Sequence, residues 1–371
     1  MSGWPTATLG EIAQPKQWPT LSMAEMVATR FPVYGANGRI GYTDHFTHER
    51  PTILIGCRGS CGTVHITEPM SYANGNAMAL DALDESRVNI HFLARFLAHR
   101  GFRDVTTGTS QPQIIRQNLV RVLVPLPPLP EQRRIAEILD KADALRAKRR
   151  AALAQLDTLT QSIFLDIFGD PISNPRGWPT VRFEQLCERV TVGIVVQPAS
   201  YYVSEGVPAL RSLNIRPGKI VLDDLVYFSK SDNDTKLAKT KLRAGDVVLV
   251  RSGQPGTAAV VPPELDGVNA IDILIATPDQ QLTNPTFLCE FFNSAGGRDL
   301  VLSRQRGQVQ KHLNVGSLNQ AILPLPSIDL QCEFAARVAA VERYREAELA
   351  SSTALDALFA SLQHRAFRSE L

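Results

Sequence analysis

One long stretch without proline or glycine constrains the fold more than any other feature. Residues 131–168 follow a proline-rich segment at 125–130 and end just before Gly169. Proline is tolerated in the first turn of a helix and disfavours helix just before itself, so Pro130 predicts a helix start. The helix would run for about ten turns, and its length would be on the order of 55–65 Å.

A heptad pattern along this stretch predicts a partner helix. Numbered from Ile135, the a and d positions are apolar with the exception of Arg149. They are Ile135, Ile138, Ala142, Leu145, Arg149, Ala152, Leu156, Leu159 and Ile163. An apolar seam that continues for more than four heptads must be covered by another helix.

The end of the chain supplies that partner. A second proline cluster at 324–326 opens a stretch that runs to Leu371, about 199 residues after the first. Its a and d positions are Phe334, Arg337, Val341, Tyr344, Glu348, Ser351, Leu355, Leu358 and Leu362, a more polar seam. Antiparallel pairing would bring the middle of one helix to the middle of the other. We therefore expect a helix-pairing contact between Arg149 and Glu348, which would fix the register more than it stabilises.

Five sets of residues recur in the same order, which indicates an internal duplication. The sequence Gly-Trp-Pro-Thr at 3–6 returns at 177–180, and the glycine turn at 59–63 returns at 253–257. The spacing grows along the chain, so the second copy carries insertions, mostly before its glycine turn. In each copy the sequence predicts a strand, an amphipathic helix, a polar loop and a final strand, in that order. In the first and second copy, respectively, the strand is at 52–55 and 246–250, the helix at 90–97 and 287–292, and the final strand at 119–124 and 318–323.

The resulting fold class is α+β, with two similar globular domains joined by two long antiparallel coiled-coil helices in a pseudo-two-fold arrangement. The predicted domains are residues 1–125, a helix at 126–170, residues 171–323, and a helix at 324–371.

Composition excludes several classes of protein. The chain is 44% hydrophobic and 20% charged, as in ordinary soluble proteins, and its net charge of +2 is small for a nucleic-acid binder. We expect neither a membrane span nor a secretory signal. The five dispersed cysteines suit a reducing cytoplasm better than a disulfide framework.

Enzyme motifs are weak. The sequence lacks a nucleotide-binding glycine loop, and the tetrapeptide at 284–287 is better explained as a helix start than as a methyltransferase loop. Cys57, Cys61 and His65 have metal-like spacing, but Pro255 replaces Cys61 in the second copy, so small turn residues are favoured over zinc. We predict no catalytic, cofactor-binding or metal-binding residue.

Polar loops at matching places of both copies are more informative. Gln and Asn can pair with adenine and Arg with guanine, while Ser, Thr and backbone amides hold phosphates. Shared glycines with different side chains are what a reader of a two-part DNA sequence would need. The predicted DNA-binding residues are Tyr34, Asn37, Arg39, Arg58, Ser60, Thr109, Ser110, Gln111, Gln113, Arg251, Ser252, Gln254, Arg304, Arg306, Gln308, Gln310, Lys311 and His312.

Two segments resemble a known family. The Pro-Leu-Pro-Pro-Leu-Pro-Glu-Gln hinge at 125–132 and the Ser-Leu-Gln-His-Arg-Ala-Phe tail at 361–367 resemble the specificity subunit of Type I restriction-modification enzymes. The second hinge carries Asp-Leu-Gln at 329–331 where the first carries Pro-Glu-Gln, which predicts a looser helix start.

This resemblance implies two target recognition domains, at 1–125 and 171–323, that each read half of a bipartite, asymmetric double-stranded DNA site. The helices would act as spacers and bind two modification (methyltransferase) subunits and, in the full assembly, a restriction (motor and nuclease) subunit. The chain would catalyse nothing and bind no cofactor itself, while its partners would use S-adenosylmethionine, ATP and Mg²⁺. The alternative is a protein–protein scaffold or adaptor without direct DNA binding, which the near-neutral charge favours.

Overall fold

The computed structural model describes residues 3–108, 110–302, 312–368 and 370–371. The chain divides into two compact units. The first unit comprises Met1–Arg150 with Ala350–Leu371, and the second comprises Ala151–Leu349. Each long helix therefore contributes one half to each unit.

The α-helices include two that are far longer than the others. The helices are α1 (Leu9–Ile12), α2 (Ile90–Arg100), α3 (Arg116–Leu119), α4 (Leu129–Phe168), α5 (Lys230–Asp234), α6 (Pro285–Asn293), α7 (Ala295–Leu302), α8 (Val315–Asn319) and α9 (Ile328–Ala366). Short 3₁₀ turns lie at Met23–Glu25, Phe183–Leu186, Pro198–Tyr201, Ser212–Asn214, Ala238–Thr240 and Pro263–Leu265.

The first unit is built on a four-stranded antiparallel sheet in the order β2-β8-β5-β6 and a three-stranded sheet in the order β4-β3-β7. A two-stranded pair, β1-β11, closes the unit. The strands are β1 (Thr6–Thr8), β2 (Gln14–Gln17), β3 (Phe31–Gly35), β4 (Gly38–Thr43), β5 (Ile53–Gly56), β6 (Val64–Ile66), β7 (Tyr72–Ala73), β8 (Ala77–Asp81), β9 (Thr106–Thr107), β10 (Gln113–Ile114) and β11 (Leu123–Pro125).

The second unit repeats this topology. One four-stranded sheet has the order β13-β22-β19-β20, and a second has the order β14-β18-β15-β21 where the first unit has three strands. The pair β12-β23 closes the unit as β1-β11 closes the first. Its insertions include the hairpin β16-β17. The strands are β12 (Thr180–Arg182), β13 (Cys187–Val192), β14 (Tyr202–Val203), β15 (Val207–Leu210), β16 (Ile215–Arg216), β17 (Lys219–Ile220), β18 (Val226–Phe228), β19 (Val247–Val250), β20 (Ala258–Val260), β21 (Asn269–Ala270), β22 (Ile273–Pro278) and β23 (Ile322–Pro324).

The duplication extends to individual hydrogen bonds. Leu126 N–H donates to the Pro5 carbonyl at 2.8 Å, and Leu325 N–H donates to the Pro179 carbonyl at 2.8 Å. Each bond holds the chain where it enters a globular part beside the point where it leaves for a long helix. The two copies therefore have related topologies, as the sequence predicted.

Within the first unit, the two long helices pack antiparallel. Arg146 of α4 lies 2.6 Å from Asp356 of α9, and its guanidinium lies 4.3 Å from the Phe359 ring centroid. Ile135 and Leu139 of α4 lie fully buried in the same core as Phe359 and Phe367.

Within the second unit, the other halves of the same helices also pack antiparallel. The rings of Phe168 and Phe334 meet edge to face at 5.2 Å, and Arg345 lies 3.3 Å from Asp157. These contacts confirm the predicted pairing of helices within each unit. Arg149 belongs to the first unit and Glu348 to the second. Their pairing stays a prediction.

The d positions of the heptad pattern were assigned one residue too early. Leu145 is 53% exposed and Leu358 is also 53% exposed, and Leu159 and Tyr344 are exposed as well. The buried and half-buried positions instead step by four and then three residues, as at Ile135, Leu139 and Ala142 and at Phe334, Val338 and Val341. Since positions i+3 and i+4 lie on the same side of a helix, the seven-residue repeat is retained and only its frame was wrong.

Other expectations also need correction. The final strands are shorter than predicted, since 116–119 and 315–319 form the helices α3 and α8. The helix α9 begins at Ile328, which corresponds to the start of α4 at Leu129, so the altered second hinge does not delay the helix start.

Candidate nucleic-acid interface

The glycine turn of the first unit follows strand β5. Gly59 and Gly62 have φ values of 72° and 83°, which side chains with a Cβ rarely adopt. Gly62 N–H donates to the Gly56 carbonyl at 2.8 Å, and Gly56 N–H donates to the Thr63 carbonyl at 2.9 Å. This tight turn leaves the side chains of Arg58 and Ser60 exposed.

Three loops that the sequence identified separately meet at this turn. Ile114 N–H donates to the Cys57 carbonyl at 3.1 Å, which places the polar loop at 108–113 against the turn. Thr63 Oγ1 donates to the Ser60 carbonyl at 3.0 Å and also to the Ala36 carbonyl, which precedes the turn at Asn37. One surface therefore carries side chains from all three loops.

The first unit has a polar cavity of about 560 Å³ on this surface. Its lining residues are Arg58, Gly59, Ser110, Gln111, Pro112 and Gln113. Gln111 and Gln113 are exposed, so their amide groups are free to face a base edge. Thr109 lies outside the described residues.

Tyr34 and Arg39 have a different environment from the other predicted residues. Tyr34 is 8% exposed, and its hydroxyl donates to Glu68 Oε1 at 3.1 Å. Burial raises the pKa of the Tyr34 phenol. Arg39 is half exposed and lies 3.5 Å from the same carboxylate. Tyr34 therefore supports the hairpin, and only Arg39 remains near the surface.

The second unit repeats the turn with different side chains. Gly253 and Gly256 have φ values of 82° and 86°. Gly256 N–H donates to the Val250 carbonyl at 3.0 Å, and Val250 N–H donates to the Thr257 carbonyl at 2.9 Å, as at the equivalent positions of the first unit. Ser252 and Gln254 are exposed on this turn.

Arg251 is held inside a network rather than projecting outwards. Its Nη1 pairs with Asp272, and its Nη2 lies 2.7 Å from His312 Nε2. Arginine only donates, so Nε2 of the imidazole accepts, and Nδ1 carries the proton that it donates to Ser252 Oγ at 2.7 Å. His312 thereby joins the turn to the segment that follows the second polar loop.

The other residues predicted in the second polar loop, namely Arg304, Arg306, Gln308, Gln310 and Lys311, lie outside the described residues. Leu313 N–H donates to the Arg251 carbonyl at 3.0 Å, as Ile114 does to Cys57 in the first unit. His312 and Leu313 therefore lie against the glycine turn.

The acidic partners of these residues were not predicted from the sequence. Glu68 binds Tyr34 and Arg39, and Asp272 binds Arg251. No recurring motif marks either carboxylate, because the two copies place them at unrelated positions. Only folding brings each carboxylate next to its arginine.

The weaker motifs have structural explanations. Asn284 Oδ1 accepts a hydrogen bond from Thr286 N–H at 2.9 Å, so this residue caps helix α6. Cys57 and Cys61 are free thiols, and burial raises the pKa of both. Among the residues that the structure describes, no group of three or more potential metal ligands occurs.

Across the described ranges, the chain contains no helix with the length and apolarity that a membrane span requires.

Comparison with known proteins relates both the sequence and the fold to one family. Residues 1–155 match the family model described as "Type I restriction modification DNA specificity domain". The EcoBI specificity subunit of Escherichia coli is 27% identical over 297 residues, which cover 72% of this chain and 62% of that protein. The EcoKI specificity subunit of E. coli strain K12 is 23% identical over 304 residues, which cover 76% of this chain and 64% of that protein. The match thus spans less than two thirds of either relative.

Solved structures share the fold over nearly the whole chain. The Type I restriction-modification S subunit from M. genitalium has a TM-score of 0.64 at 15% identity and covers 99% of this chain and 96% of its own. A chain from a study of complex assembly and conformational transition in the type I R-M system has a TM-score of 0.62 at 17% identity, with 100% and 98% covered. The predicted resemblance and fold class are confirmed.

Proposed function

We propose that this chain, whose residues 1–155 belong to the Type I restriction modification DNA specificity domain family, is the DNA sequence-specificity subunit of a Type I restriction-modification system. It reads a bipartite, asymmetric site in double-stranded DNA and catalyses no reaction itself. Each globular part reads one half of the site.

The repeated glycine turn carries this proposal. Both units hold the turn with the same hydrogen bonds and the same positive φ values, yet expose different polar side chains. Arg58 and Ser60 of the first unit correspond to Ser252 and Gln254 of the second. Because the two units have the same turn backbone but expose different polar side chains, they are suited to recognise two different sequences rather than the two halves of a palindrome.

The first unit is equipped for direct contact with base edges. Its exposed Gln111 and Gln113 can each form two hydrogen bonds with an adenine, and Arg58 can pair with a guanine or hold a phosphate. In the second unit, Gln254 has the matching capability, while Ser252 can hold a phosphate.

The assembly that this function requires follows from the family. We propose that the paired helices bind two modification subunits, and that a restriction subunit completes the complex in the cytoplasm. S-adenosylmethionine, ATP and Mg²⁺ would be used by those partners.

Methylation mapping in cells that express the chain with its modification subunits tests the proposal. The expected result is one bipartite motif with two unlike halves separated by a fixed number of unspecified base pairs. Exchange of the turn residues Arg58 and Ser60 for those of the second unit should alter one half only. A continuous palindromic motif would contradict the proposal.

Binding assays provide a second test. The purified complex should bind DNA with an affinity that falls as salt concentration rises, because phosphate contacts release counterions. A complex that assembles but shows no salt-dependent binding to DNA would favour the protein scaffold instead.

A further inference from the structure

An exposed pair of valines follows the end of strand β13 in the second unit. Val195 is 50% exposed and Val196 is 78% exposed. Gln197 follows in the left-handed region with a φ of 45° and precedes the 3₁₀ turn Pro198–Tyr201. The tip therefore exposes two consecutive β-branched apolar side chains to solvent.

The base of this loop is firmly held. Gly193 N–H donates to the Ile273 carbonyl at 2.9 Å, and Ile194 N–H donates to the Ala270 carbonyl at 2.8 Å. A Cβ at Gly193 would lie 2.4 Å from the Ala270 carbonyl oxygen, so the loop backbone approaches as closely as only glycine permits. The exposed valines therefore lie at the tip of a loop whose base is held by backbone hydrogen bonds.

The anchor joins the loop to the candidate DNA surface. Asp272 N–H donates to the Ile194 carbonyl at 3.1 Å, and the Asp272 carboxylate binds Arg251 of the glycine turn. Arg251 contacts His312, which contacts Ser252. Val195 therefore directly follows Ile194, and a continuous series of polar contacts links Ile194 to the exposed side chain of Ser252 in the glycine turn.

The first unit carries different apolar residues at this place. After the equivalent strand β2, Leu21 is 7% exposed and packs with Val33 and Tyr72, while the unbranched Met23 is 82% exposed. The adjacent pair of β-branched side chains is thus a difference between the copies at a place where the two half-sites are expected to differ.

We propose that Val195 and Val196 contact the C5-methyl groups of thymine in the major groove of the second half-site. This inference rests on the proposed function and adds a specificity that hydrogen bonding does not supply. Exposed single apolar residues are common, but an adjacent pair on an anchored tip beside polar reading groups matches the apolar contact by which proteins distinguish thymine.

The test combines a protein change with a DNA change. The complex of the full chain with its modification subunits is measured on its mapped target duplex and on duplexes in which one thymine is replaced by deoxyuridine. The replacement removes only the methyl group. Burial of one methyl contributes about 0.8 kcal/mol, so wild type should bind the modified duplex about fourfold more weakly.

Val195→Ser/Val196→Ser removes all four methyl groups of the pair and leaves two small hydroxyls, which offer no apolar surface to a thymine methyl. This variant should bind the thymine duplex about fourfold more weakly and should no longer distinguish thymine from deoxyuridine. The matched control is Leu282→Ser, because Leu282 is 44% exposed and follows the opposite end of strand β22 from Asp272. The control should behave as wild type.

Three results would overturn the inference: a second half-site without thymine, equal wild-type binding of all deoxyuridine duplexes, or a loss of discrimination in the control. A variant that binds DNA normally but loses a modification subunit would assign the tip to a protein contact and would also overturn it. In each case bipartite binding would persist, so failure of this inference is distinguishable from failure of the proposed function.

Discussion

The backbone N–H of Asn284 donates a hydrogen bond of 2.9 Å to Oε1 of Gln331, whose side chain is fully buried. Nε2 of Gln331 donates to the Pro326 carbonyl at 2.8 Å. Gln132 makes the same two bonds in the first unit, to Asn89 and Pro127. In each unit one amide thus ties the first turn of a long helix to the start of the helix that packs on it.

Loss of this amide should destabilise the second unit. Gln331→Ala leaves the N–H of Asn284 and the Pro326 carbonyl without their partner, so the free energy of unfolding should fall by about 1–3 kcal/mol. Urea unfolding of the full chain measures the change. Gln155→Ala, at an exposed position of α4, is the control and should have little effect. Equal stability of both variants would show that the buried amide is not required.

Gln111 and Gln113 should specify bases in one half-site. Alanine at either position should reduce discrimination at one base pair by about 1–3 kcal/mol while the other half-site is read normally. Binding to a panel of single-base variants of the target measures this. Gln117→Ala, an exposed glutamine of α3, should leave the pattern intact. A uniform loss of affinity with a lower salt slope would instead assign the glutamine to a phosphate.

Arg251 should act by positioning rather than by reading. Its side chain is 13% exposed and is bound to Asp272 and His312. Arg251→Ala and Asp272→Asn should therefore both weaken binding to the second half-site, by about 1–2 kcal/mol, without relaxing the choice of base. Quantitative binding to single-base variants distinguishes the outcomes. Relaxed preference at one guanine in Arg251→Ala alone would mean that the guanidinium reads that base.

Glu290 should make stability depend on pH. The carboxyl is 7% exposed, and its burial raises the pKa, while a hydrogen bond of 2.6 Å from Gln161 opposes this. A raised pKa in the folded state means that the folded protein binds more protons than the unfolded protein above the ordinary pKa. The contribution of Glu290 to stability is therefore full below that value and is lost as pH rises through the folded pKa.

Replacement of this carboxyl should remove the dependence. Glu290→Gln should be more stable than wild type at pH 8, with the advantage shrinking towards pH 4, because a neutral amide carries no cost of buried charge. Thermal unfolding between pH 4 and pH 8 measures this, with the exposed Glu188→Gln as control. A constant difference across that range would exclude titration of Glu290 as the cause.

Arg146 should stabilise the helix pair of the first unit through its shape as well as its charge. The guanidinium binds Asp356 at 2.6 Å and lies over the Phe359 ring. Arg146→Lys keeps the charge but loses the planar group, so it should lower the free energy of unfolding by ~1 kcal/mol. Arg146→Met serves as the comparison because it keeps an apolar stem without charge. Full stability of the lysine variant would show that charge alone is sufficient.

The repeats made much of the fold predictable. The long helices, the glycine turns and the amphipathic helices all lie where matched residues placed them, because a duplicated sequence reports each element twice. The error in the d positions has a physical origin. Leu145 and Leu358 are apolar, and a frame that places the second seam position three residues after the first counts them as seam, whereas the observed packing half-buries Arg146 and buries Phe359 one residue later.

The candidate interface was predictable only in part. Recurring glycines located the loops, since positive φ values restrict the residue type. They did not show that Tyr34 is buried against Glu68 or that Arg251 is bound by Asp272, because these partners lie 34 and 21 residues further along the chain. Such contacts decide whether a side chain is free to bind DNA, and a local sequence pattern does not reveal them.

The hydrogen bonds between Pro5 and Leu126 and between Pro179 and Leu325 have a genetic consequence. In each globular part, the beginning and the end of the chain segment are held together by one of these hydrogen bonds and by one short antiparallel strand pair. Recombination between related genes at these borders would exchange an entire part and leave the start of the following helix intact. Under the proposed function, one such event would give a lineage a new DNA preference without the slow accumulation of point mutations.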